Sequence, residues 1–358
     1  MRRFLNIPST FAIGESRFGN EATYQGLSHL DDFGHNPGQL RAKTYLAHAL
    51  KPGSPLVVVL HGCTQTADQY DVGAGWSVMA DKQGFAVLFA EQQRSNNPNL
   101  CFNWFLPQDH RRERGEALSI RNMILTMIER YGLDRDRVFV TGLSAGGAMA
   151  NVMLATYPEL FAGGAIIAGL PYGTAGDVSQ ALERMRGQGL AGEQAHGALV
   201  RRASNHVGPW PSVSVWHGSA DATVSPANAD AIVSQWRSVH GLAVAPTHSE
   251  LVDGYPCETW IDGHGRARVT SYRITGMGHG TPLAPLRHSR IGHTRRTDGH
   301  YPVARHLLCA HARHGDRPHH HLHLRRPGQR SLASDHRHQR LPEHHPHLAV
   351  DLQPPGAG

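Results

Sequence analysis

Arg137-Val138-Phe139-Val140-Thr141-Gly142-Leu143-Ser144-Ala145-Gly146-Gly147-Ala148-Met149 decides the reading of this chain. Arg137 to Val140 reads as a strand. Ala145 to Tyr157 reads as a helix ended by Pro158, and between them lies Gly142-Leu143-Ser144-Ala145-Gly146, a Gly-x-Ser-x-Gly pentapeptide. Glycines on both sides of Ser144 permit a tight strand-to-helix turn that a β-carbon would crowd, so the hydroxyl is left exposed at a strand end. By itself the pentapeptide is a moderate signal, because Gly-rich helix starts occur by chance. The preceding strand supplies the context it needs.

Outward from this turn the pattern repeats. Leu56-Val57-Val58-Val59-Leu60 and Phe85-Ala86-Val87-Leu88-Phe89-Ala90 are short continuous apolar runs, suited to strands buried on both faces of a parallel sheet. Asp68 to Gln83 reads as loop plus helix. Glu116 to Tyr131 reads as an amphipathic helix carrying Ile120, Met123 or Ile124, and Met127 or Ile128 on one side, stopped by Gly132. Ala162 to Ala168, Val213 to Trp216 and Val269 to Ile274 read as further strands. Helices are expected at 178–186 and 229–240, with a Gly/Ala-rich connection reaching Pro211. Alternation of this kind predicts an α/β fold with a mostly parallel central sheet covered by helices on both faces. No repeat of 20 to 50 residues is present.

Three segments are expected: an N-terminal lead-in over 1–40, a catalytic domain over 41–282 that opens on a strand around Arg41 to Ala47, and a His/Arg/Pro-rich tail over 283–358. The chain has 35 Lys+Arg and 29 Asp+Glu, but residues 283–358 hold 12 Arg, no Lys and 5 acids, which leaves 23 basic and 24 acidic residues before them. A near-neutral body argues against a nucleic-acid partner. The tail also holds 15 of the 27 His and lacks apolar periodicity. It reads as a disordered extension. A change of reading frame near Leu283 is one alternative source for it, and a metal- or anion-binding role for its His and Arg residues is another. No apolar run approaches the ~20 residues of a membrane span. Asn6, Pro8 and Ser9 interrupt any signal-peptide core after Arg2 and Arg3, which favours a cytoplasmic location.

A serine hydroxyl needs a histidine base, and the base needs an acid to fix its tautomer. In this fold the two follow the serine in the order acid, then histidine, each after a later strand. Val213 to Val224 contains a strand, a Gly-bearing turn and Asp221, the expected acid; Asp230 and Asp253 are weaker alternatives. Ser271 to Gly280 contains a strand and a Gly-rich loop presenting His279, the expected base. His264 precedes that strand, and His217 lies too near Asp221 in sequence to be the obvious partner. Backbone amides must also receive the developing oxyanion. Ala145, the residue after the nucleophile, and Cys63, in Leu60-His61-Gly62-Cys63-Thr64-Gln65, are the expected donors. Cys63 is open to either a free thiol or a bridge to Cys101. Trp104, Asn103 and Tyr172 are expected substrate contacts, with ordinary packing as the competing reading for the aromatics. No paired spacing suggests a metal, and no cofactor is required.

Five motifs in order carry a resemblance: Leu60 to Gln65, Cys101-Phe102-Asn103-Trp104-Phe105, Arg114-Gly115-Glu116-Ala117, Gly142 to Met149, and Gly276-Met277-Gly278-His279-Gly280. Over about residues 40 to 282 the chain resembles the polyhydroxybutyrate depolymerase family of esterases. The resemblance implies an α/β-hydrolase fold and hydrolysis of poly(3-hydroxyalkanoate) or related esters, with a polyester, oligoester or small ester as substrate. It implies that Ser144, Asp221 and His279 form the triad. Feruloyl and acetylxylan esterases are related alternatives, and a peptidase or acyltransferase is a further possibility on the same fold. The resemblance also suggests secretion, and a terminal helix for which the sequence after His279 shows no apolar pattern. Oligomeric state is not legible.

Overall fold

Every residue of Leu56–Leu60 is fully buried, and alternate side chains point to opposite faces of the strand, β3. Leu56, Val58 and Leu60 join one apolar core, and Val57 and Val59 join a second. Burying a Val or Leu side chain in this way stabilises the fold by about 1.5–3 kcal/mol relative to leaving it in water. A strand with two dry faces requires cover on both. The computed structural model describes residues 26–282 together with Val303, and supplies that cover.

The remaining strands are β1 (Ser28–His29), β2 (Arg41–Leu46), β4 (Ala86–Glu91), β5 (Val138–Leu143), β6 (Gly163–Ile167), β7 (Ser212–Gly218), β8 (His248–Val252), β9 (Tyr255–Ile261) and β10 (Ala267–Ile274). They form one sheet in the order β1-β2-β4-β3-β5-β6-β7-β10-β9-β8. Pairing is parallel from β4 through β10, while β1, β2, β9 and β8 pair antiparallel at the two margins. Helices α1 (Ala67–Ala74) and α2 (Trp76–Gln83) bring Tyr70, Trp76 and Met79 to the core that holds Val57 and Val59. The opposite core takes α3 (Gly115–Tyr131), α4 (Ala145–Thr156), α5 (Val178–Met185), α6 (Glu193–Arg201) and α7 (Ala227–His240), through residues such as Ile120, Met149, Ala181, Val200 and Trp236. The expected parallel sheet with helices on both faces is the observed one.

Local signals explain several boundaries. Thr66 and Gln69 form a reciprocal capping box at the start of α1. Gly132, at φ 60°, ends α3 where the sequence places a stop. The stretch expected as loop plus one helix over 68–83 is instead two helices, broken at Gly75. The Gly/Ala-rich connection contains α6. The β8–β9 hairpin, turned at Asp253-Gly254, is absent from the sequence reading. Residues 248–251 of β8 are exposed, so no apolar pattern marks that strand.

The lead-in expected through residue 40 is packed from its described part onward. Ser28 pairs with Thr44, Leu30 and Leu40 enter the main core, and the Gly38 amide donates to Ser119 Oγ. The expected disordered tail over 283–358 lies outside the described residues apart from Val303, which departs from that expectation: it is helical and buried in the core that holds Val57 and Val59. No helix among the described residues is long and apolar enough to cross a membrane.

Candidate active site

Ser144 sits between β5 and α4 with φ 58° and ψ −118°. A non-glycine residue in such a conformation costs about 1–3 kcal/mol and persists only where its surroundings impose it. They do so here: the Ser144 amide donates to Ile167 O at 2.9 Å, and its carbonyl accepts from Ala148 N at 2.9 Å. Gly146 allows α4 to lie against the end of β3, because a β-carbon there would collide with the carbonyls of Leu60 and His61. The first turn of α4 is thereby brought beside the loop that follows β3.

Asp221 follows β7, and His279 follows β10, the parallel neighbour of β7. His279 Nδ1 lies 2.7 Å from Asp221 Oδ2. An ionised carboxylate only accepts, so Nδ1 carries the proton and Nε2 is left as the basic nitrogen. Asp221 Oδ1 accepts the amides of Thr223 and Val224, each at 2.9 Å. Burial of Asp221 pushes its pKa up, but hydrogen bonds from His217, His279 and the Val224 amide outweigh burial and hold the carboxyl well below the usual range. The loops bearing the acid and the base are stitched together. Ser219 N donates to Ile274 O, Ala220 N to Met277 O, and Gly276 N to Ser219 Oγ. Gly218 has no room for a side chain beside the carbonyls of Met277 and Gly278.

Direct contact thus joins Asp221 to His279, while Ser144 is related to them by strand placement. All three residues follow strands of one parallel set, and so stand at the same end of the sheet. The weaker candidates are elsewhere: Asp230 is exposed and paired with Arg273, Asp253 lies in the β8–β9 turn, and His264 is in an exposed turn. His217 is the exception. Although set aside for its nearness in sequence, it places Nε2 3.2 Å from Asp221 Oδ2.

The expected oxyanion donors have distinct supports. Ala145 is the first residue of α4, so its amide has no partner within the helix and lies at the positive end of the helix dipole. Around Cys63 the neighbouring amides are occupied: Gly62 N donates to Gln65 Oε1 and Thr64 N to Asn99 O. The Cys63 amide has no acceptor among the described residues. His61 is 1% exposed, and its Nε2 accepts from Gln92 N, so Nδ1 donates to Gly62 O at 2.7 Å. A trans peptide points its N–H opposite its C=O, so this bond aims the Cys63 amide away from the His61 ring. Burial holds the His61 pKa below its ordinary value, in keeping with a neutral ring. The Cys63 side chain is bridged to Cys101, the alternative left open by sequence.

Asn103, Trp104 and Tyr172, expected to touch substrate, are all buried. Asn103 donates from its amide side chain and its backbone to Glu116, each at 2.8 Å, and accepts from Asn97, so its polar groups are occupied within the protein. Trp104 packs edge-on to Phe105, and its carbonyl receives His110 Nδ1. Tyr172 is fixed through its backbone by Gln235. Glu116, to which the sequence assigns no role, anchors Asn103: it also receives Gln92 Nε2, whose backbone amide holds His61. The quoted Arg114-Gly115-Glu116-Ala117 motif was the available signal. Among the described residues no group of three or more His, Cys, Asp or Glu side chains is arranged to hold a metal ion.

Comparison with known proteins agrees with this architecture. The poly(3-hydroxyalkanoate) depolymerase C of Paucimonas lemoignei is 43% identical over 267 residues, covering 74% of this chain and 64% of that protein. The chain therefore spans somewhat under two thirds of that relative. Feruloyl esterase B of Talaromyces stipitatus is 31% identical over 72% of each chain. Acetylxylan esterase of Coprinopsis cinerea is 32% identical over 72% of this chain and 69% of that one. Among solved structures, the acetyl xylan esterase from Aspergillus awamori superposes with a TM-score of 0.66 at 28% identity, covering 71% of this chain and 93% of that one. The fold is that of the α/β-hydrolases. Residues 44–250 match the family described as esterase PHB depolymerase, and with these relatives the match shows that the chain belongs to that family.

Proposed function

We propose that the protein is a serine esterase acting on poly(3-hydroxyalkanoate) or related carboxylic esters through an acyl-enzyme on Ser144. The observation that carries this reading is the 2.7 Å bond from His279 to the buried Asp221, at the sheet end where the strained Ser144 turn also lies. His279 Nε2 takes the Ser144 proton as the hydroxyl oxygen attacks the ester carbonyl. Asp221 stabilises the imidazolium so formed. The amides of Ala145 and Cys63 receive the negative charge on the carbonyl oxygen. The alcohol leaves with the proton returned by His279, and water activated by the same ring then cleaves the acyl-enzyme.

Similarity to feruloyl and acetylxylan esterases supports a second substrate class, feruloyl or acetylxylan esters, served by the same chemistry. Purified enzyme tested on polyhydroxybutyrate, feruloyl and acetyl esters separates the two classes by kcat/KM. Ser144→Ala is expected to lower kcat on the best of these by at least about 10⁴-fold. Full activity in that variant would overturn the mechanism.

A further inference from the structure

Asp221 holds two imidazoles. His217, at the end of β7, is 2% exposed, with Nε2 2.9 Å from Val224 O and 3.2 Å from Asp221 Oδ2. Both of those oxygens only accept, so Nε2 carries a proton and donates in a forked bond. His217 Nδ1 is buried with no partner among the described residues. A second proton there would be a donor left dry and unpaired, at a cost of about 1–3 kcal/mol. The ring thus carries one proton, on Nε2, aimed at the same oxygen that receives His279 Nδ1. Val224 closes the arrangement: its amide bonds Asp221 Oδ1 while its carbonyl takes His217.

We infer that His217 is a positioning residue for the triad, holding the Asp221 carboxylate by Oδ2 so that this oxygen meets His279, and moderating how strongly Asp221 retains the His279 proton. The inference rests on the triad assignment above. An aspartate carboxyl turns about a broad, two-fold torsion; the Thr223 and Val224 amides hold Oδ1, while Oδ2 has His279 on one side. His217 supplies the second side. By sharing Oδ2 it also draws negative charge from the Asp221–His279 bond, and its loss strengthens that bond. The titratable side chains bonded to Asp221 among the described residues are these two imidazoles, one from β7 and one from the loop after β10. Arg273 of β10 is paired with Asp230 of α7 near the surface. Because Nε2 is occupied and buried, His217 is a donor to the acid and is unsuited to be the base.

Three variants test this. His217→Gln keeps a donor at about the reach of Nε2, His217→Asn is too short, and His217→Leu has none. Active sites are counted by irreversible phosphonate labelling of Ser144, so that misfolded protein is excluded. The Asn and Leu variants are expected to lose about 10–100-fold in kcat with KM within about 2-fold, and the acid limb of their kcat/KM profile should move up by about 0.5–1 pH unit. The Gln variant should stay within about 3-fold of wild type with its acid limb in place. Wild-type kcat and acid limb in Asn and Leu, or equal damage in Gln and Asn, overturns the inference. Should the substitutions prevent folding, ¹⁵N NMR of the unaltered protein decides it: the Nε2–H tautomer of His217 is expected, and the Nδ1–H tautomer sinks the idea. If Ser144→Ala remains active, the triad assignment fails; if it is inactive while the His217 variants match wild type, only the present inference fails.

Discussion

Asp221 and Glu116 are both buried carboxyls, each ringed by hydrogen-bond donors, yet they titrate in opposite directions. Asp221 takes two imidazoles and two backbone amides, and their pull exceeds the penalty of burial. Glu116 takes Gln92 Nε2 with the backbone and side-chain amides of Asn103, and burial, reinforced by nearby Asp109, pushes its pKa up to about 8. The contrast lies in the partners. The hydrogen bonds from His217 and His279 come first among those that hold Asp221 down, with charge on His279 a lesser addition, whereas Glu116 has neutral amides alone and a second carboxyl, Asp109, nearby. One acid is held ionised beside the His279 ring. The other ties the loop that carries Cys101 and Asn103 to α3.

The largest break in this comparison comes from Asp221→Asn. The remaining oxygen can still accept the Thr223 and Val224 amides, so the fold should survive, while kcat falls by about 10⁴-fold. Circular dichroism and active-site-normalised kinetics would check both halves. Because the folded pKa of Asp221 is depressed, its contribution to stability is present above its unfolded value near 3.9 and is lost as pH falls below it. The Asn variant should therefore lose less stability on acidification below about pH 4, as followed by urea unfolding.

Glu116→Gln sharpens the other side. One Gln oxygen can still take Gln92 Nε2 and Asn103 Nδ2, but the new amide faces the Asn103 N–H, so a loss of about 1–3 kcal/mol is expected. A raised carboxyl favours the folded state below its unfolded value near 4.3, and that advantage fades as pH rises to about 8. Stability of the variant should accordingly depend less on pH between about 5 and 8. An unchanged slope would mean that Glu116 is ionised throughout. The smallest effect belongs to Asp230→Asn, which removes an exposed ion pair and should shift stability by at most about 1 kcal/mol with kcat unaltered. A 10-fold fall in kcat would transfer the role of acid away from Asp221.

Sequence carried the central sheet because β3 and β4 are dry on both faces, and continuous Val and Leu runs have few other uses. It carried the Ser144 turn through local geometry, and the order of Asp221 and His279 through strand ends. It did not carry β8, exposed over most of its length, or β1, only two residues long. His217 escaped because closeness in sequence was read as unsuitability, whereas the turn after β7 folds Asp221 back onto it. Asn103 and Tyr172 show the converse limit: residue type does not say that a polar or aromatic side chain in a loop is buried. The Cys63–Cys101 bridge, across a separation of 38, depends on a 4.2 Å Cα approach that composition cannot supply.

The sheet order also sets a schedule for biosynthesis. β10 is the last strand of the described residues to be made, yet it lies between β7 and β9, and it delivers His279. At roughly 5–20 residues per second, Ser144 emerges from the ribosome on the order of ten seconds before its base. Through that interval the nascent chain holds Ser144, the proposed nucleophile, without His279, and a β7 margin without its neighbour. If the proposed triad is right, ester hydrolysis by nascent chains starts only when β10 has docked, and so times the completion of the sheet.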